Sequence, residues 1–257
     1  MNYLIGACSD IGLKKKTNQD SYCYKVIETE RNERICFSIL CDGMGGLAKG
    51  EVASATVVKS FSEWIEKRLP VLLENNFSEK ILSYEWNRLI TEQNKKIYKY
   101  GEENKMMLGT TLTVLLIVKG ILYIANVGDT RAYKIANNNV MQITIDHSLV
   151  QKEIEKGKLT KESAKNDPRK NILLQCVGAA KNVSGDIFID RVKENNVYIL
   201  ATDGFWNKIE EEDLYNNFNA DILQSEEGIK DNIKNLIELV KGRNEKDNIT
   251  AIVVKCE

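Results

Sequence analysis

Apolar residues fall in short runs along most of the chain, while residues 51 to 103 carry a longer, helical period. Residues 3–8 and 21–27 read as short strands. The run 34–41 reads as a buried strand, since from Ile35 it is apolar except for Ser38 and it stops at turn residues. From Glu51, the positions Val57, Phe61, Trp64, Ile65 and Leu69 recur at helical spacing as far as Pro70. A second helix over roughly 78–103 carries Leu82, Trp86, Leu89, Gln93 and Ile97 on one face. Branched residues over 110–118 and 121–127 predict a hairpin around Lys119-Gly120. Further strands are expected at 132–135, 140–144, 186–190, 197–202 and 249–255, and helices at 149–156 and 226–241. The polar segment 148–171 reads as a surface excursion. Strands at both ends with a helical pair between them predict a single α+β domain over 1–257.

Candidate chemistry sits where strands stop. The run 35–41 ends in Asp42-Gly43-Met44-Gly45-Gly46, and 197–202 ends in Asp203-Gly204. Near the C-terminus the order reverses, with Asp247-Asn248 ahead of the last strand. A lone Asp-Gly is usually a turn. Here the ends of neighbouring antiparallel strands can bring Asp203 and Asp247 to one sheet edge, with Asp42 facing them. Carboxylates gathered in this way raise one another's pKa unless a cation neutralises them, so a metal site is the simplest resolution. His147 is the only histidine, which excludes a histidine-rich site and leaves oxygen ligands suited to magnesium or manganese.

The remaining composition narrows the classes. A net charge of -1 gives no reason to expect nucleic acid or an anionic membrane as partner. The apolar stretch 112–118 is too short to span a bilayer, and the N-terminus lacks a signal-peptide pattern. Six cysteines without a CxxC pair are expected to be reduced, as in a cytoplasmic protein.

Several stretches together resemble the metal-dependent serine/threonine protein phosphatases of the PPM, or type 2C, family in its compact bacterial form. They are Ser9-Asp10-Ile11-Gly12 with Asn18-Gln19-Asp20, Asp42-Gly43-Met44-Gly45-Gly46 followed by Gly50-Glu51-Val52-Ala53-Ser54, and Gly109-Thr110-Thr111. Asn126-Val127-Gly128-Asp129-Thr130-Arg131-Ala132-Tyr133, Asp146-His147-Ser148, Asp203-Gly204 and Asp247-Asn248-Ile249-Thr250 continue the likeness in order along the chain. The resemblance implies a four-layer α-β-β-α sandwich of two antiparallel sheets flanked by helices, with 148–171 as the family's variable flap.

It also implies two Mn2+ or Mg2+ ions and a third, weaker site. Asp42 would bridge the two ions, with the Gly43 carbonyl on the second. Asp203 and Asp247 would hold the first, Asp20 would lie in or behind the shell of the second, and Asp146 with Asp203 would take the third. A water bridging two ions would attack phosphorus in line. Phosphorylated proteins are the implied substrates, a serine/threonine kinase the implied counterpart, and a cytoplasmic monomer the implied form.

Three positions depart from the family pattern. Lys15 stands where an arginine usually grips the substrate phosphate, and it keeps the charge without the bidentate fork. Gln19 replaces a common glutamate, and Met44 replaces the histidine that animal members use as an acid. Asp129 and Arg131 are expected to brace their hairpin by a mutual salt bridge, and His147 either packs or serves the site. Rival readings are a binding module without turnover and a calcium-stabilised structural domain. Calcium favours more oxygen ligands from one loop, and no such loop is present.

Overall fold

The computed structural model describes residues 1–30, 32–45, 49–75 and 77–257. Gly46 of the first glycine cluster lies outside the described residues. The chain opens with three strands, β1 (Tyr3–Asp10), β2 (Asp20–Glu28) and β3 (Arg34–Gly45). Helices α1 (Gly50–Lys67), α2 (Leu69–Asn75) and α3 (Glu79–Glu103) follow. Strands β4 (Leu108–Thr110), β5 (Leu112–Val118), β6 (Ile121–Val127), β7 (Arg131–Ala136) and β8 (Asn139–Gln142) come next. Two short helices, α4 (Leu149–Glu155) and α5 (Lys161–Lys165), precede β9 (Asp186–Arg191) and β10 (Val197–Ala201). The chain ends with α6 (Asp203–Trp206), α7 (Glu211–Phe218), α8 (Glu226–Gly242) and β11 (Ile249–Cys256).

These strands form two antiparallel sheets. One has the order β1-β11-β10-β7-β8, and the other β2-β3-β5-β6-β9 with β4 paired to β3. Strand β3 explains the layering. Ile35, Phe37, Ile39 and Cys41 project from one face into a core with α1 and α3, where Phe61, Trp64 and Trp86 pack. Cys36 and Leu40 project from the other face and meet Tyr198, Leu200, Ile252 and Val254 of the opposite sheet. A strand covered on both sides has no polar face to show, hence a run from Ile35 to Cys41 that is apolar but for the buried Ser38. Each of its large side chains contributes about 1.5–3 kcal/mol on burial. A third core places Ile229, Ile233, Leu236, Ile237 and Val240 of α8 on the outer face of the other sheet, giving helix, sheet, sheet and helix in succession.

Three local differences from the sequence pattern have physical causes. Pro70 does not end the helical region: it lies in the first turn of α2, where a missing N–H is harmless. The excursion after Ser148 carries α5 as well as α4, and α5 is closed by reciprocal hydrogen bonds between Thr160 and Ser163. Helix α7 was not predicted. It buries only Leu214 and Phe218, a weak period, and its start is held by a capping box between Glu210 and Asp213. The six cysteines are free thiols, with Cys36, Cys41 and Cys256 buried. No helix among the described residues is long and apolar enough to cross a membrane.

Candidate active site

Asp20 opens β2 and Asp42 lies near the end of β3, and the two are direct partners in the β2–β3 ladder. Asp42 is fixed through its backbone. Its N–H donates to Thr111 Oγ1 (2.8 Å), and its carbonyl accepts from Thr111 N–H and Thr110 Oγ1 (both 2.9 Å). The next residue must be glycine, because a Cβ at Gly43 would lie 2.3 Å from the Gly50 carbonyl oxygen and 2.5 Å from that of Gln19. Asp20 is fixed through its carboxylate. Its Oδ2 accepts from Thr250 Oγ1 (2.5 Å) and Thr202 Oγ1 (3.2 Å), while its buried Oδ1 has no hydrogen-bond partner.

The other sheet supplies the facing half. Strands β10 and β11 are antiparallel neighbours with Ala201 opposite Ala251, so Asp203, just past β10, lies at the same edge as Asp247, just before β11. Asp203 Oδ1 is likewise buried and unpaired. Asn248 then ties the loop 11–19 to this edge. Its Nδ2 donates to the carbonyls of Ile11 (2.9 Å) and Thr17 (3.2 Å), and its Oδ1 accepts from Gln19 N–H (2.9 Å). Gly12, at φ +75°, lets the loop press against the strand, since a Cβ there would fall 1.8 Å from the Asp247 carbonyl oxygen. The loop carries Lys15, whose Nζ lies 2.6 Å from Asp247 Oδ1.

The charges explain one another. Burial, then the neighbouring Asp20 and Asp203, raise the Asp42 carboxyl well above the usual carboxylate range. Burial and the Asp247 charge push Asp203 up to about 6, and burial pushes Asp20 up to about 7 against the opposing Thr250 hydroxyl. Lys15 shows the complement. Partial burial disfavours its charge, but the Asp247 contact and the fields of Asp42 and Asp203 outweigh that and raise its pKa. The edge is a negative field that calls for cations.

Asp146, expected beside Asp203 as a ligand of a third ion, has both carboxylate oxygens engaged by neighbouring side chains. Oδ1 accepts from Arg131 Nε and Gln142 Nε2 (both 3.0 Å), and Oδ2 accepts from an Arg131 terminal nitrogen at 2.7 Å. Arg131 therefore pairs with Asp146 and not with Asp129, and its guanidinium stacks 3.3 Å from the centre of the Trp206 ring. Asp129 is the residue left facing the cluster. It is buried, no described side chain donates to it, and burial followed by the Asp203 charge raises its carboxyl strongly. His147 is structural: Nδ1 accepts from Gly128 N–H (3.3 Å) and Nε2 lies 3.2 Å from Asp186 Oδ2, so both ring nitrogens are engaged.

Other contributors were not singled out from the sequence, although most lie in the stretches quoted above. Thr202, Thr250 and Asn248 hold the carboxylates and the loop; Gln19, already read as standing in for a glutamate, donates through Nε2 to Glu51 at 3.3 Å. A groove of about 860 Å3 is lined by Lys161, Lys165 and Lys170 of the flap, by Trp206, Glu210 and Glu211, and by Arg131 and Asp146, but by none of Lys15, Asp20, Asp42, Asp203 or Asp247. The flap residue Lys165 reaches Glu210 across it (2.9 Å).

Whether these residues suit a divalent ion turns on the two orphaned oxygens. A buried carboxylate oxygen without a donor is costly, and an ion or its water shell supplies the missing partner. Among the described residues no three acidic, histidine or cysteine side chains close on one point as a cage. Magnesium and manganese do not require one, because magnesium in particular is held by one or two carboxylates and keeps several waters. The donor set is all oxygen and fits such ions.

The protein phosphatase 2C family model matches residues 13–238. The serine/threonine phosphatase stp of Listeria welshimeri is 35% identical over 250 residues, covering 96% of this chain and 93% of that protein. The solved S. agalactiae serine/threonine phosphatase superposes with a TM-score of 0.82 at 31% identity, covering all of both chains. The catalytic domain of the phosphatase PstP, solved in complex with two manganese ions, gives 0.76 at 25% identity over 99% of each chain. A family match across most of the chain, together with end-to-end likeness to a serine/threonine phosphatase, means that this chain belongs to the protein phosphatase 2C family and is a protein serine/threonine phosphatase.

Proposed function

We propose that the chain hydrolyses phosphoserine and phosphothreonine in proteins with two Mn2+ or Mg2+ ions held at the shared edge of its sheets. The observation that carries this reading is the pair of buried, unpartnered carboxylate oxygens, Asp20 Oδ1 and Asp203 Oδ1, contributed from opposite sheets. Asp203 and Asp247 would hold one ion, the Gly43 carbonyl would ligate the other, Asp42 would serve both, and Asp20 would stand in or just behind the shell of the second ion. The ions, when bound, supply an ionised water near neutral pH and offset charge on the phosphoryl oxygens. A third, weaker site would draw on Asp203 and Asp129, because Asp146 is occupied by Arg131 and Gln142.

The chain's own groups do the rest. Thr110 and Thr111 hold the Asp42 backbone, and Thr202 and Thr250 turn one oxygen of Asp20 away from the site. Lys15 would attract the phosphoryl group as a point charge, with less control of its orientation than a guanidinium fork gives. Met44 has no proton to give, so the leaving oxygen must be protonated by another group. One phosphatase domain over 1–257, acting as a cytoplasmic monomer against a serine/threonine kinase, completes the reading.

The test is release of phosphate from a phosphothreonine peptide in manganese, magnesium, calcium or chelator. Turnover is expected with manganese or magnesium only, and Asp42→Ala and Asp203→Ala should abolish it. Turnover that survives chelation would sink the two-ion reading.

A further inference from the structure

Asp247 has two clients. Its Oδ1 accepts both the Lys15 ammonium (2.6 Å) and the Asn248 N–H (2.8 Å), while the carboxylate as a whole is a ligand under the function proposed above, on which this inference rests. The loop bearing Lys15 cannot drift away, because Asn248 fastens it at Ile11, Thr17 and Gln19. The neighbouring Lys14 and Lys16 form no ion pair among the described residues, so Lys15 alone of the triplet has been drawn to a carboxylate.

We propose that Lys15 and a divalent ion are antagonists coupled through Asp247, so that metal entry loosens the Lys15–Asp247 pair and releases the ammonium toward the substrate phosphoryl group. A cation at the ion site repels the ammonium and withdraws charge from the oxygen it rests on. By reciprocity, the ammonium weakens the ion by the same factor. The lysine stem has four rotatable carbons, so Nζ can swing from Asp247 to a phosphoryl oxygen without moving the loop. Lys15 thereby acts as both an internal counter-ion and a phosphate contact, with metal occupancy selecting between the roles.

Manganese binding measured by titration calorimetry on the whole chain tests this directly. Lys15→Met and Lys15→Gln keep the length of the side chain, or nearly so, and remove the charge. Each should tighten manganese on the order of tenfold, a modest factor because the Lys15 side chain is 40% exposed and the coupling is screened. Lys15→Arg retains the charge and should stay close to the parent affinity. The side chain lies outside every core cluster, so these variants should fold. Unchanged or weaker binding by both neutral variants, with the parent binding normally, would overturn the coupling and leave the phosphatase reading intact. A parent chain that takes up no manganese would overturn both.

Discussion

Asp20 and Asp42 stand directly opposite one another in the β2–β3 ladder, two carboxylates on the same face of one sheet edge. Like charges paired across strands are destabilising, and both acids are pushed above their ordinary range. Asp42→Asn should therefore separate stability from activity. In chelator its melting temperature should rise by a few degrees, on the order of 4 °C. Phosphatase turnover with manganese should fall about a hundredfold or more. Calorimetric melting and a peptide assay on one preparation would check both, and a lower melting temperature in chelator would contradict the repulsion argument.

The same carboxylates set a pH dependence. Asp203 and Asp20 move from 3.8 to about 6 and about 7 on folding. Between the unfolded and folded values the native state holds more protons, so their contribution to stability falls as pH rises and levels off above the folded values. In chelator the melting temperature should thus decline from about pH 4 to about pH 7. The increment on adding manganese should grow over the same interval, because the ion needs ionised carboxylates. Fluorimetric melting across that range in Asp20→Asn should show a shallower decline than in the parent.

Asp146 and Asp129 should exchange the roles that their positions in the sequence suggest. Removing Asp146 leaves the half-buried Arg131 without its main partner, and loss of one member of such a pair costs about 3 kcal/mol. Asp146→Ala should lower the denaturant midpoint accordingly and leave manganese affinity unchanged. Asp129→Asn should keep or raise the midpoint while slowing turnover at limiting manganese. Matched denaturation and calorimetric titration of the two variants would decide the assignment.

Asn248→Ala should act on the loop and not on the ions. Three hydrogen bonds to residues 11–19 are lost, and the carbonyls and N–H left behind cost about 1–3 kcal/mol. With Lys15 no longer held over the site, KM for the phosphopeptide should rise more than kcat falls. Hydrogen exchange at Gln19 N–H would report the loosening independently.

Much of this was legible in the chain because the relevant signals are local. Residues 35–41, Ser38 apart, are apolar on both faces because helices cover one side and a second sheet the other, and the Asp-Gly steps mark where such strands stop. The adjacency of Asp203 and Asp247 follows from antiparallel order alone. What could not be read depends on contacts between distant elements. Asp129 and Asp146 both sit just beyond strands in polar company, and only the position of Arg131, clamped between Trp206, Tyr133 and Gln142-bound Asp146, decides which of them faces the site. Helix α7 was invisible for a related reason: its amphipathic period is only two residues deep, and a cap made by Glu210 and Asp213 supplies what hydrophobic spacing does not.

The central core between the sheets has a consequence for how the enzyme fails on heating. Asp20 and Asp42 ride on one sheet, Asp203 and Asp247 on the other, and the gap between the halves is set by the side chains wedged between them, including Cys36, Leu40, Leu200 and Ile252. That layer works as a spacer gauge. An underfilled gauge lets the halves slide by fractions of an ångström long before either sheet comes apart, and ion coordination tolerates such error poorly. Catalytic failure should therefore precede melting, and the temperature interval between the two events should widen with every methylene removed from the layer.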